Sequence, residues 1–241
     1  MVGRAEQLSK RVKNETNKEG FCYIAHPFSK HHKWLDFDKV LEATKEHPYL
    51  RGFELLHRDF LNQVGRLLAT WNRHLAQGER ILVIGGNDAH KAATVGEKVK
   101  TFAYVENEGK VLDASKHQDL LYALKHGHPA VTTGPLAVFT ARNNSRSSKV
   151  YRIGEEMPVH DGDDIEINIA SAECQKHRPI YALDGKIRRM SIGDGERFPR
   201  RPERITLSKE GGFMRLEGYG KSGTCYINPI FLVREEEASM S

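Results

Sequence analysis

Ile81-Leu82-Val83-Ile84-Gly85-Gly86-Asn87-Asp88-Ala89-His90 is the stretch on which the reading of this chain turns. Four apolar residues in a row have the look of a buried strand, and two glycines let the backbone turn where it ends. That turn delivers an aspartate and a histidine two positions apart. The mouth of a parallel β/α sheet is where metals and substrates collect. Asp and His are both ligands suited to zinc, manganese or iron. The same residues also compose a plain turn with an Asp88 cap and a solvated His90, and this segment alone leaves both readings open.

Outward from that strand, the flanking sequence alternates between two periodicities. Ala5–Asn14 is polar and helix-permissive, and Phe21–Ala25 is a short run of strand formers ending at His26-Pro27. Asp38–Glu46 reads as a helix stopped near Pro48, and Arg51–Leu56 as a strand carrying Glu54. Leu61, Val64, Leu68, Trp71 and Leu75 recur at three- and four-residue steps, the stripe of an amphipathic helix that Gly78 ends. Asp113–Gly127 reads as a further helix with apolar Leu120, Leu121 and Leu124. Strands alternating with helices of this length predict parallel β/α units.

After Gly134-Pro135 the pattern changes. Ile165, Ile167 and Ile169 alternate with polar residues, Asp184-Gly185 sits between two strand-like runs, and Phe213–Glu217 and Thr224–Val233 supply further strands. The second half is expected to be an antiparallel β-sandwich. The predicted domains are residues 1–134 and 135–241, with Asn143–Lys149 a polar loop inside the second.

Composition narrows the class. The chain has 241 residues, 39% of them hydrophobic and 29% charged, ordinary values for a globular protein with a sizeable core. No apolar stretch approaches a membrane span, and the first residues lack the apolar core of a signal peptide, so a cytoplasmic protein without a membrane partner is expected. Cys22, Cys174 and Cys225 are odd in number and far apart, which predicts reduced thiols rather than disulfides or a thiolate zinc site. The net charge of +5 raises nucleic acid as a partner. The basic clusters Lys186–Arg189 and Arg197–Arg204 lack interleaved aromatics, so a solvated basic surface is the preferred reading.

Chemistry-bearing residues fall at three successive strand ends: His26, Glu54, and the Asp88/His90 pair. In a parallel β/α barrel such ends converge on one mouth, so residues distant in sequence can share a metal. Pro27 restricts the backbone of His26, which either orients a ligand or merely ends a strand. His117, His126 and His128 lack a carboxylate companion in sequence and read as surface residues. Lys91–Thr94 reads as a solvated turn, or as a loop whose positive charge helps to bind a substrate anion. No nucleophile-elbow, phosphate-loop or dinucleotide fingerprint is present.

Tyr23-Ile24-Ala25-His26-Pro27, Gly52-Phe53-Glu54, Trp71 with Leu75 and Gly78, and Gly85–His90 occur in an order that resembles the later part of a PHP domain. PHP domains are the polymerase and histidinol phosphatase family of metal-dependent phosphoesterases. Gly127–Pro135, Gly212–Glu217 and Tyr226–Ile230 resemble, more narrowly, the CehA/McbA-type branch, in which a β-sandwich follows the PHP domain. The resemblance implies the C-terminal half of a (β/α)7 barrel over residues 1–134, followed by a small antiparallel β-sandwich. It implies two or three divalent ions (manganese, zinc or iron) held by His26, Asp88 and His90. Asp88 would both bind metal and manage the proton, and Glu54 would be a ligand or a hydrogen-bond acceptor beside one.

The His-x-His-Thr element that opens PHP enzymes has no counterpart here. The expectation is therefore a C-terminal portion of a metallohydrolase for small phosphoesters, esters or carbamates, with weak or no turnover by itself. Its partner would be the missing N-terminal barrel half or a second copy of the chain. The rival is a non-catalytic binding or assembly module, with a degenerate barrel as scaffold and the β-sandwich as interaction domain.

Overall fold

Three apolar runs in the first hundred residues become β1 (Cys22–Ile24), β2 (Leu50–His57) and β3 (Leu82–Gly86), paired in parallel in the order β1-β2-β3. These assignments come from a computed structural model, which describes residues 20–28, 38, 41, 49–59, 61–94, 98–105, 117–183, 186–189, 192–193 and 211–234. Between β2 and β3 runs α1 (Val64–Ala76), entered through a 3-10 turn at Leu61–Gln63. Of the predicted stripe, Val64, Trp71 and Leu75 sit in the core on the buried face of α1, Leu68 is half-buried against it, and Leu67, outside the stripe, is buried in its place. Leu61, ahead of the helix, is exposed. Trp71 Nε1 donates to the carbonyl of Ile81 at 2.9 Å, tying the helix to the lead-in of β3. Gly78 takes φ +79°, the left-handed turn that ends the helix.

The expected barrel half does not form. The parallel sheet stops at three strands, and β4 (Lys100–Ala103) joins another sheet, where it pairs antiparallel with β5 (Pro129–Thr132). Barrel closure needs each successive strand to enter parallel to the last, through a crossover helix. Here α2 (His117–His126) connects two antiparallel strands instead. Strands dominate the described residues, with α1 and α2 the two α-helices bounded among them. The α/β-barrel class is thus replaced by a mainly β architecture carrying one parallel βαβ unit.

The centre of that architecture is a nine-stranded sheet. Its path is β11 (Lys186–Arg189), β10 (Lys176–Leu183), β13 (Gly212–Gly220), β14 (Gly223–Ile227), β5 and β4. β12 (Ile192–Gly193) pairs with β10; β15 (Ile230–Arg234) pairs with β13 and, in parallel, with β8 (Glu156–Val159). A second, three-stranded sheet has the order β7-β6-β9, from Val150–Arg152, Leu136–Asn143 and Ile165–Ala172. The sheet β4 and β5 enter thus mixes strands from both sides of residue 134. No described helix is long and apolar enough to cross a membrane.

The central sheet is covered on both faces, which its sequence shows as period-2 sorting between two cores. On β13, Phe213 joins the core beneath α1 while Met214 and Leu216 join the core against β6 and β9. On β14, Tyr226 goes one way and Cys225 and Ile227 the other; on β15, Phe231 opposes Ile230 and Leu232. Three layers result: the parallel βαβ unit, the nine-stranded sheet, and the three-stranded sheet. The alternation expected of Ile165 and Ile167 serves the outer interface, where both are buried. Leu183 pairs with Lys186, as the hairpin reading requires, although Asp184 and Gly185 lie outside the described residues. So do the helix read at Ala5–Asn14, nearly all of that at Asp38–Glu46, residues 113–116 of the later helix, and Arg197–Arg204.

Candidate metal centre

Residues three apart on a regular strand point to opposite faces. Glu54 and His57 of β2 do not, because the strand carries an irregularity between them. Glu54 pairs with Ile84 and Leu56 with Gly85, so Leu55 is one residue more than β3 supplies. A bulge of this kind re-aims the side chains beyond it. It brings His57 to the same side as Glu54, at the C-terminal end of the parallel sheet.

His26 arrives from the end of β1. It sits at φ +31°, in the left-handed region that L-residues seldom occupy, directly before Pro27. In that conformation its backbone N–H donates to Glu54 Oε2 at 2.7 Å, and its Nδ1 lies 3.3 Å from the same oxygen. The His26 and His57 rings meet edge to face, 5.1 Å between centroids at 69°. One ligand atom from each of His26, Glu54 and His57 lies within 4.8 Å of the others.

Glu54 and His57 are buried, His26 partly so. Burial pushes the Glu54 carboxyl above its ordinary range, and the His26 N–H with the nearby His57 and His26 rings pulls the other way. Gly86 makes room for this carboxylate: a Cβ there would stand 2.5 Å from Glu54 Oε1. The glycine pair that reads as a turn signal thus serves the site by having no side chain.

Asp88 and His90 stand at the rim. Asp88 Oδ2 is 3.8 Å from His57 Nε2 and 3.3 Å from His90 Nε2. Asp88 also adopts positive φ, +48°. His90 has a side chain 83% exposed and meets the cluster through Asp88. Asn87 Nδ2 donates to the Thr94 carbonyl at 2.6 Å, closing the Lys91–Thr94 loop, whose end is a 3-10 turn at Ala92–Thr94. Two non-glycine residues with left-handed backbones at one sheet end, His26 and Asp88, fit the tendency of strain to gather at working sites.

The donor set suits a divalent transition ion. Two imidazoles and a carboxylate are the ligands of hydrolytic zinc sites that keep one position open. One adjustment is required. The Asp59 N–H donates to His57 Nδ1 at 3.1 Å, so the neutral ring carries its proton on Nε2, the nitrogen facing Asp88. An ion held at Nε2 would need that proton on Nδ1 and would give up the Asp59 amide bond, a loss of about 0.5–1.5 kcal/mol.

Of the residues marked from sequence, His26 lies in the compact cluster, Asp88 touches it, and His90 lies beyond Asp88. Glu54, left open from sequence, is at the cluster's centre. His57 was missed, since odd spacing on a strand argues against a shared face; the bulge is the missing signal. Comparison with family models, curated proteins and solved structures finds no match for this chain.

Proposed function

We propose that this chain is a divalent-metal-dependent hydrolase of phosphoesters or related esters, with His26, Glu54 and His57 as the ligands of its ion. The observation that carries the reading is the convergence of three donor side chains within 4.8 Å beside a fourth charged group, Asp88. When bound, the ion supplies Lewis-acid stabilisation of a developing oxyanion and acidifies water at neutral pH. Everything else falls to the protein. Glu54 is fixed by the His26 amide, so the carboxylate is oriented before any ion arrives. Asp88, held between His57 and His90 and 41% exposed, is placed to accept the proton of an attacking water. Lys91, exposed just beyond His90, offers positive charge to an anionic substrate oxygen. The likeness of the Ala-His-Pro and Asp-x-His elements to those of PHP phosphoesterases supports the choice of bond.

The test is metal content and turnover on the same sample. The chain, stripped with chelator and reloaded with manganese or zinc, should bind one ion and hydrolyse bis(p-nitrophenyl) phosphate or p-nitrophenyl acetate. His57→Ala should abolish stoichiometric binding, and Asp88→Asn should keep the ion while turnover falls about a hundredfold. A well-folded chain that takes up no ion would rule the reading out.

A further inference from the structure

At the end of the parallel sheet away from the metal centre lies a cavity of about 480 Å³, between α2, the exit of β4 and the turn that leads into β8. Its position is fixed: Tyr23 Oη donates to the Leu124 carbonyl (2.6 Å) and Arg51 Nε to that of Lys125 (2.9 Å), holding the last turns of α2 against β1 and β2. The volume falls in the range of small-molecule sites, about 300–1,000 Å³.

Its walls are aromatic and acidic. Tyr122 stacks on His126, with centroids 3.9 Å apart at 25°, and meets His128 edge-on at 5.9 Å; Tyr104 lines the same space. The charged groups on the lining are Asp119, Glu155, Glu156 and Lys149. Glu156 is engaged by Arg80 at 2.9 Å, and Glu155 receives the Arg152 amide at 2.8 Å through one oxygen. His126 Nδ1 lies 2.8 Å from the Tyr122 carbonyl, to which it can donate. Burial holds the His128 pKa below its ordinary value, with the neighbouring His126 and Arg152 acting in the same direction. The lining itself carries three carboxylates to one ammonium among its aromatic rings, with Glu156 paired to Arg80 and the Arg152 guanidinium beside Tyr104.

We propose that this cavity is a second ligand site, which takes a small organic cation of the alkylammonium class. The charged head would sit against the Tyr122 ring, where the ring quadrupole attracts cations, with Glu155 and Asp119 as counter-charges. The neighbouring Tyr104 ring shows the same attraction within the chain, since the Arg152 guanidinium carbon lies 5.9 Å from its centroid.

The proposal is independent of the metal centre, and its test is run on the full chain with chelator present. Choline, benzyltrimethylammonium and the uncharged choline isostere 3,3-dimethylbutan-1-ol are titrated by amide NMR and by calorimetry. Both ammonium probes should saturate, with shifts confined to residues lining the cavity. The neutral isostere should bind about tenfold more weakly. Tyr122→Ala and Glu155→Gln should each weaken choline several-fold, while Tyr122→Phe, which keeps the ring, should leave it unchanged. The proposal is overturned if the alcohol binds as tightly as choline, if Tyr122→Ala folds and binds normally, or if neither ammonium probe saturates.

Discussion

Asn228 stands in for a β-strand beside Val83. Its Nδ2 donates to the Val83 carbonyl at 2.9 Å and its Oδ1 accepts the Val83 N–H at 2.8 Å, so one side chain supplies the two bonds that a neighbouring strand would. The same Nδ2 reaches the Pro129 carbonyl at 3.0 Å. Asn228 is fully buried, between β14 and β15, and fastens the parallel layer to the central sheet. Thr101 does likewise one pleat on, with its hydroxyl bonded to both the N–H and the carbonyl of Gly85.

Removing Asn228 strands buried main-chain groups of β3. Asn228→Ala is expected to cost about 2–4 kcal/mol, since each buried group left unsatisfied costs about 1–3. Denaturant titration should show a lower midpoint at an unchanged slope. Asn228→Asp, which keeps the acceptor and loses the donor, should also destabilise.

Gly86 is predicted to control the metal centre through the space it leaves. Gly86→Ala puts a methyl group 2.5 Å from Glu54 Oε1 and forces the carboxylate aside. Metal affinity should fall about 10–100-fold, as it does when the groups orienting a ligand are lost. Calorimetric titration with zinc would measure this; unchanged affinity would mean that Glu54 is not a ligand.

Arg215 and Glu217 form a buried ion pair at 2.7 Å beneath α1, with Arg215 also donating to Asn72 and lying 4.6 Å over the Trp71 ring. Glu217→Leu strands the guanidinium and should cost about 3–5 kcal/mol. Replacing both partners, Arg215→Met with Glu217→Leu, should recover most of that loss, because two charges no longer need desolvation. A double-mutant cycle by thermal melting would read the coupling.

Asp163 should set part of the acid stability. Burial by itself would raise its pKa, but hydrogen bonds from Asn143 Nδ2 (2.7 Å), the His160 amide (2.8 Å) and Arg146 Nε (2.8 Å) outweigh it and hold the carboxyl below its ordinary value. A depressed native pKa stabilises above the unfolded value of about 3.9 and stops doing so as pH falls through the native one. Stability measured between pH 6 and about 2 should therefore fall less steeply in Asp163→Asn than in the wild type. Equal slopes would contradict the prediction.

Much of the local structure was legible. The 3.6-residue stripe from Val64 to Leu75 gave α1, and the runs at Phe21–Ala25, Arg51–Leu56 and Ile81–Ile84 gave β1, β2 and β3. The global arrangement was not. β4 and β5 are four residues each, and β5 opens on Pro129, so neither stands out by periodicity. Their antiparallel pairing is nonetheless what diverts the chain from a barrel. The alternation along β13 is equally hard to interpret without partners, because both of its faces are buried and Arg215 sits among apolar neighbours. At the site, His26 and Asp88 were legible from their strand ends, whereas His57 depended on a register shift that no spacing rule encodes.

That extra residue at Leu55 bears on how relatives of this chain should be sought. A search template with a constant interval between the acid and the second imidazole assumes an unbroken pleat. One insertion or deletion within β2 would swap which side chain faces inward, turning a functional centre into a decorated surface, or the reverse, with every ligand still in the sequence. Relatives that keep all three side chains can therefore differ in whether they hold an ion, according to one codon that encodes none of them.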